Sequence, residues 1–394
     1  MNDATFQGFV RADGRVGTRN HIGVFVVGNC GATAARHVAD HFTHRQLAAF
    51  SHVDEVLPFV HEIGCGMEAT GEPMNLLRRT IAGTVRNPNI AGAVVIALGC
   101  ERNNIRAFFE QEGLATGPLL HMLVMQEIGG TAATIEAGIA AVASMLPLVD
   151  ACRRETVSAR HLVVGLQSDA AEGEAAVVAH RALGVAVDLL VAQGGTAILS
   201  ETSALAAVED EATARAASAE VAEQLGQRIR WWKGYTAGRD TRMTRPATAA
   251  VLPGAEALSR AGTSPLKAVY EYAHSVTERG LVFMDAPAYA AVSATGQIAS
   301  GATLLCVVTG GHSGFGAAAV PTLKLVGDSA VYARLEDDLD IDCGPVREGA
   351  MDAQTMGEAI FQRLLAHASG VPTKSEELGV GQDEFVPWPI GVLA

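Results

Sequence analysis

Three times within the first hundred residues, an apolar run of strand length ends in a turn that carries glycine and cysteine. Residues 21–27 (HIGVFVV) lead into Gly28-Asn29-Cys30-Gly31 and an alanine-rich helical stretch to His44. Residues 55–61 lead to Gly64-Cys65-Gly66 and a helix over about 73–85, and residues 91–98 (AGAVVIAL) lead to Gly99-Cys100-Glu101. Strands that follow one another through helices must lie parallel, because a tight hairpin cannot return the chain in the same direction. Near-continuous apolar strands are also what a sheet covered on both faces requires. The pattern therefore predicts an α/β chain with mainly parallel sheets flanked by helices.

The alternation falters around Pro147, Asp150 and Arg153-Arg154-Glu155, then restarts at residues 161–166. Further strands are expected at residues 188–191, Thr196–Leu199, Gly280–Met284 and 303–308, around a charge-mixed helical block at 205–232. Residues 235–255 show no period and read as a long loop over the site. The tail from Pro372 reads as an ordered strap. Two domains follow, 1–155 and 156–394, and 394 residues suit that number. With 49% hydrophobic and 18% charged residues, the chain can bury a large core. Its 43 acids against 29 bases give a net charge of −14 without a Lys/Arg cluster, which excludes a nucleic-acid footprint. The few lysines (Lys233, Lys267, Lys324, Lys374) form no polybasic membrane tether. A polar amino terminus and short apolar runs predict a cytoplasmic protein with no membrane association, its six cysteines kept as thiols.

Open parallel sheets bind ligands outside the carboxyl ends of their strands. Cys30, Cys65 and Cys100 fall there, and His61 precedes Cys65 by four residues. Soft thiolates beside an imidazole suit iron or zinc, and three thiolates suit an iron–sulfur cluster with one open iron. Small buried hydrophobes at strand ends would produce the same pattern. Cys152, Cys306 and Cys343 lie elsewhere. The run from Arg11 to Asn20 sets three arginines beside two glycines, either as a guanidinium clamp for carboxylates or as a loop with internal Arg–Asp pairing. Ser168-Asp169, at a strand end, is a polar site pair or a helix cap. The glycine-rich loop Thr309-Gly310-Gly311-His312-Ser313-Gly314 offers an acid/base pair or a loop cap. Neither a phosphate loop nor a dinucleotide fingerprint is present, so nucleotide-dependent readings fall.

Taken together the motifs are more specific. RxDGRxGxRN at 11–20, HxxGCG at 61–66, NPNxAGxxVxxLGCExN at 87–103, DxLVxxGGTxxLSET at 188–202, FMDxPxYxxxSATGQxAxGA at 283–302 and DIDCG at 340–344 resemble the altronate/galactarate dehydratase family, in order along the whole chain. The resemblance implies two Rossmann-like domains and a hydro-lyase. Such an enzyme turns a sugar acid or related hydroxy carboxylate into a 2-keto-3-deoxy acid with iron, either as Fe2+ or as a cluster. It implies Cys65 and Cys100 as metal ligands with Cys30 as a third. His61, Asp169 and His312 become acid/base candidates. Arg15, Arg19, Asn20, Glu101, Asn104, Ser168, Thr309 and Ser313 become substrate contacts. The implied partners are a small anionic hydroxy acid, a second copy of the chain, and a separate small subunit standing in for the SAF-type domain of longer members. The chain departs from the family pattern at 165–173, 244–250 and 308–313, where the second half of the site is rewritten. Two other functions therefore stay open: the large subunit of a sulfolactate-type sulfo-lyase, and a degenerate binding or assembly paralogue.

Overall fold

The computed structural model describes residues 3–169, 173–238, 258–311 and 314–390. A hairpin of β1 (Thr5–Val10) and β2 (Val16–Gly17) opens the chain. The first parallel sheet then forms from β3 (His21–Val26), β4 (Val56–Phe59), β5 (Ile90–Ala97) and β6 (Leu120–Val124), in the order β4-β3-β5-β6. Its helices are α1 (Ala32–His41), α2 (Glu72–Val85), α3 (Ile105–Glu112) and α4 (Thr131–Asp150). Alternate side chains feed two cores. Ile22, Val24 and Val26 join Val94 and Ile96 on one face, while Phe25 joins Ala93 and Val95 on the other. Both faces are thus dry, as the apolar strands required.

β7 (Arg154–Ser158) returns to β1 and completes a small antiparallel sheet, β2-β1-β7. Seven parallel strands follow: β8 (Val163–Ser168), β9 (Thr196–Leu199), β10 (Leu266–Tyr270), β11 (Gly280–Met284), β12 (Leu304–Val308), β13 (Thr322–Val326) and β14 (Ile341–Asp342). Their order is β10-β11-β9-β8-β12-β13-β14. Around them lie α5 (Glu174–Ala192), α6 (Ala219–Thr236), α7 (Ala290–Ala299) and α8 (Ala353–Ala368). The α/β expectation holds. The strand expected at 188–191 does not form, because those residues are the last turns of α5. The buried positions Ala176, Ala179, Leu183, Ala186, Val187 and Leu190 keep helical spacing straight through them. α4 and α5 are long and apolar enough to cross a bilayer by length and composition alone. Here α4 packs on α1 and β5, and α5 packs on α8 and the second sheet.

The two sheets share one core across α2 and α7. A Cβ at Gly83 would stand 2.3 Å from the Ala299 carbonyl oxygen, so only glycine allows this approach. Asn87 Nδ2 donates to the carbonyls of Ile298 and Ala302, both at 2.8 Å, and Thr18 Oγ1 donates to that of Thr303 at 2.6 Å. These contacts join the sheets near the amino-terminal ends of their strands. The carboxyl edges lie a strand length away. After the short helix α9 (Lys374–Leu378) the tail runs across both halves as a strap. Phe385 sets its edge against Phe59 at 5.4 Å, and Trp388 packs among Trp232, Tyr235 and Tyr272.

Candidate functional site

In each sheet the strand order reverses beside the first strand, the place where open α/β sheets bind their ligands. In the first sheet this point lies between β3 and β5, at Cys30 and Cys100-Glu101. In the second it lies between β8 and β12, at Ser168-Asp169 and Thr309. Three loops interlock at the first point. Gly64, at φ 105°, lies so close to β3 that a Cβ would come within 2.4 Å of the Val27 carbonyl oxygen. Asn103 binds the loops together: its backbone N–H donates to Gly64 O at 3.1 Å and its Nδ2 to Val27 O at 3.1 Å, while Arg78 Nε holds its Oδ1 at 3.0 Å. Glu101 accepts the Gly99 amide at 2.8 Å and that of Leu98, so its carboxylate serves its own turn. Asn104 caps α3 by accepting the amides of Arg106 and Ala107.

This scaffold gathers Cys30, Cys65 and Cys100. Cys30 and Cys100 are exposed and Cys65 is half-buried. Partial burial raises the Cys30 thiol above its ordinary pKa, and the neighbouring Cys65, Glu101 and Cys100 raise it further. As a donor set, clustered thiols are what iron or an iron–sulfur cluster takes. Among the described residues, however, no three His, Cys, Asp or Glu side chains stand closed on a common point. His61 is buried behind the loop with its Nε2 3.0 Å from the Val26 carbonyl, so Nε2 carries the proton and Nδ1 is left without a hydrogen-bond partner. Burial lowers its pKa to about 4, which keeps the ring neutral.

Other residues expected at the site face elsewhere. Arg15 pairs with Asp13 at 2.6 Å and donates to the Arg86 carbonyl, near the amino-terminal ends of the strands. Arg19 is buried and forks onto Glu376 at 2.6 and 2.9 Å, while also donating to the carbonyls of Thr18, His367 and Val371. Asn20 is fully buried among Arg11 and the carbonyls of His52 and Val149. Of the expected acid/base and substrate groups, His312 and Ser313 lie outside the described residues, as does most of the expected loop at 235–255.

The carboxyl edge of the second sheet carries a row of polar groups, part of it unforeseen. Ser168, at the end of β8, places its Oγ 2.9 Å from His180 Nε2. His180 is buried on α5, its Nδ1 has no partner, and burial with the charge of Arg260 lowers its pKa to about 3. A buried unpaired lone pair costs less than a buried unpaired N–H, so Nε2 is the donor and the serine keeps its own proton to give. Beyond β9, Glu201 adopts φ 76° and ψ 67°, a left-handed conformation that is strained for a residue with a side chain. Its carboxylate pairs with buried Arg260 at 2.7 Å and accepts the Ser168 amide at 3.4 Å. Beyond β11, burial raises Asp285 to about 6 against the opposing bond from Thr202 Oγ1 at 2.5 Å. Thr309 follows β12 and is buried. Applying the strand-end rule to Thr196–Leu199 and Gly280–Met284 would have found Glu201 and Asp285. His180 and Arg260 carry no such signal, since one sits mid-helix and the other in an irregular stretch.

The sequence is similar to known proteins along nearly all of its length. Residues 159–393 match the family described as D-galactarate/Altronate dehydratase, C-terminal, and residues 8–150 that described as D-galactarate dehydratase/Altronate hydrolase, second domain. The chain is 29% identical to the galactarate dehydratase (L-threo-forming) of Escherichia coli, over 98% of this chain and 77% of that protein. It is 25% identical to the altronate dehydratase of Bacillus subtilis, over 93% and 74%. It is 26% identical to the (2R)-sulfolactate sulfo-lyase subunit beta of Chromohalobacter salexigens, over 98% and 97%.

Proposed function

Because this chain belongs to the altronate and galactarate dehydratase family, we propose that it removes water from an aldonate or aldarate to give a 2-keto-3-deoxy acid, with iron on Cys65 and Cys100 and Cys30 as the third thiol. The observation that carries this reading is the gathering of the three thiols at the turning point of the first sheet. Iron bound there would act as a Lewis acid on the substrate oxygens. The elimination itself requires loss of the proton beside the carboxylate and departure of a hydroxyl as water, followed by tautomerisation of the enol to the keto acid.

The protein's own groups supply the remaining requirements. The Ser168 hydroxyl, held by His180, is oriented to donate to a substrate oxygen. Asp169, the next residue, is the base candidate for the C–H proton. Asp285, with its pKa near 6, exchanges a proton at its carboxylate under neutral conditions, which suits hydroxyl departure. His61 remains neutral and serves the loop carrying Cys65 rather than substrate directly. His312 and Ser313 are proposed to complete the glycine-rich side after β12.

The second reading is carbon–sulfur cleavage of a sulfolactate-like acid, with a small partner subunit. It is favoured by the 26% identity to the sulfo-lyase subunit over 98% of this chain, which stands level with the 25–29% identity to the dehydratases. An anaerobic assay with added Fe2+ on altronate, galactarate and sulfolactate separates the two. The first reading predicts a 2-keto-3-deoxy acid from one of the sugar acids, and the second predicts sulfite. Turnover of none of the three, with and without a small subunit, would leave a binding or assembly paralogue.

A further inference from the structure

At the opposite ends of the second-sheet strands, a cleft of about 330 Å³ opens between the amino-terminal hairpin loop and the starts of β8, β9 and β12. Arg15, Arg86, Arg160, His161 and Arg279 line it, against only Asp13 and Glu278. That balance is unusual in a chain with a net charge of −14. Asp13 is already taken by Arg15, and Arg86 binds the carbonyl oxygen of Glu112. Among the described residues neither Arg160 nor Arg279 has an acidic partner.

Two guanidinium groups come together here around the His161 ring, with Glu278 the remaining carboxylate on the lining. Partial burial, and then the charges of Arg160 and Arg279, disfavour protonation of His161, and Arg160 Nε donates to His161 Nε2 at 3.2 Å. That bond fixes the imidazole as neutral, with its proton on Nδ1, and turns it into a support for the Arg160 guanidinium. Ser275 and Thr277 line the same cleft and supply hydroxyls. Planar guanidinium forks beside hydroxyls are matched to the oxygens of carboxylate or phosphate groups. Like charges held together at a concave surface focus field onto whatever anion enters.

We propose that this cleft is a binding site for a small anion carrying two or more negative charges, distinct from the thiol site and about 17 Å from the carboxyl edge by strand length. The ligand chemistry is shared by polycarboxylates and phosphates. Arg160 and Arg279 form the recognising fork, with Arg15 fixed by Asp13 at the rim. The site stands whatever reaction the thiol edge performs.

Titration calorimetry of the full chain at constant ionic strength, with citrate in one arm and inorganic pyrophosphate in the other, tests the site and sorts carboxylate from phosphate. Saturable binding of either probe is expected. It should weaken about tenfold in Arg160→Ala and in Arg279→Ala, the loss expected for one charge-assisted contact. Both arginines are exposed, so the variants should fold with an unchanged melting temperature. Arg36→Ala, which removes an exposed arginine paired with Asp383, and Cys65→Ser should bind as the unaltered chain does. Three results would overturn the proposal: no saturable binding of either probe, equal affinity in the Arg160→Ala/Arg279→Ala double variant, or an equal loss in Arg36→Ala or Cys65→Ser.

Discussion

Arg15 and Arg19 stand four residues apart in one motif, yet they do unrelated things. Nothing in RxDGRxGxRN distinguishes a guanidinium that will meet substrate from one buried against a carboxylate 357 residues away. Arg19 is the buried case, and breaking its pair leaves Glu376 uncompensated. Arg19→Ala is therefore expected to lose about 3 kcal/mol or more in urea unfolding, while the KM of the protein that still folds stays unchanged. Asp285 gives the opposite kind of test, because its cost is charge burial. Its carboxyl is raised from 3.8 to about 6 in the folded state, so stability present below pH 3.8 is lost as the pH rises through 6. The loss is on the order of 3 kcal/mol. Asp285→Asn should abolish that part of the stability–pH curve between pH 4 and 6, as read from denaturant midpoints.

Elements were legible where burial alone decided them. The strands carrying Cys30, Cys65 and Cys100 lie where the apolar runs placed them, because a strand covered on both faces has no polar alternation to confuse it. β1 and β7 escaped notice for the reverse reason. They form a small antiparallel sheet in which β7 is mostly polar and β1 mixes the buried Phe6 and Phe9 with Thr5 and Gln7. Residues 188–191 misled because four apolar residues look alike as a strand or as a helix end, and only the spacing back to Ala176 decides. The tail from Pro372 reads as a strap, but Lys374–Leu378 first close into a short helix capped by Thr373, and the strap's grip on both sheets rests on tertiary aromatic contacts that no local pattern encodes. Trp388→Ala is expected to cost about 3–5 kcal/mol, since it empties a cluster shared by α6 and the segment after β10. Gly83→Ala should cost about 1–3 kcal/mol by forcing α2 off α7. Both are measurable by chemical denaturation.

Across the whole molecule, buried histidines govern the response to acid. His21 and His61 are lowered to about 4 and His180 to about 3, each chiefly by burial. The folded protein keeps them neutral while the unfolded chain protonates near 6.5, so the stability they contribute above pH 6.5 is lost as the pH falls toward 4. His180→Asn should flatten this slope by up to about 1.4 kcal/mol per pH unit, as one fewer proton is taken up on unfolding. The same scale holds the functional claim, which joins a thiol edge in the first sheet to an acid/base row in the second. Half of that row was open to sequence reading, and the other half depended on a mid-helix histidine and an arginine from an irregular segment. The most direct test is kcat on the sugar acid turned over, measured anaerobically with iron for the unaltered chain and for Cys65→Ser and Cys100→Ser. The account predicts a loss of at least a hundredfold in both variants, together with their iron, and an unchanged unfolding midpoint. Full activity in either metal-depleted variant would contradict it.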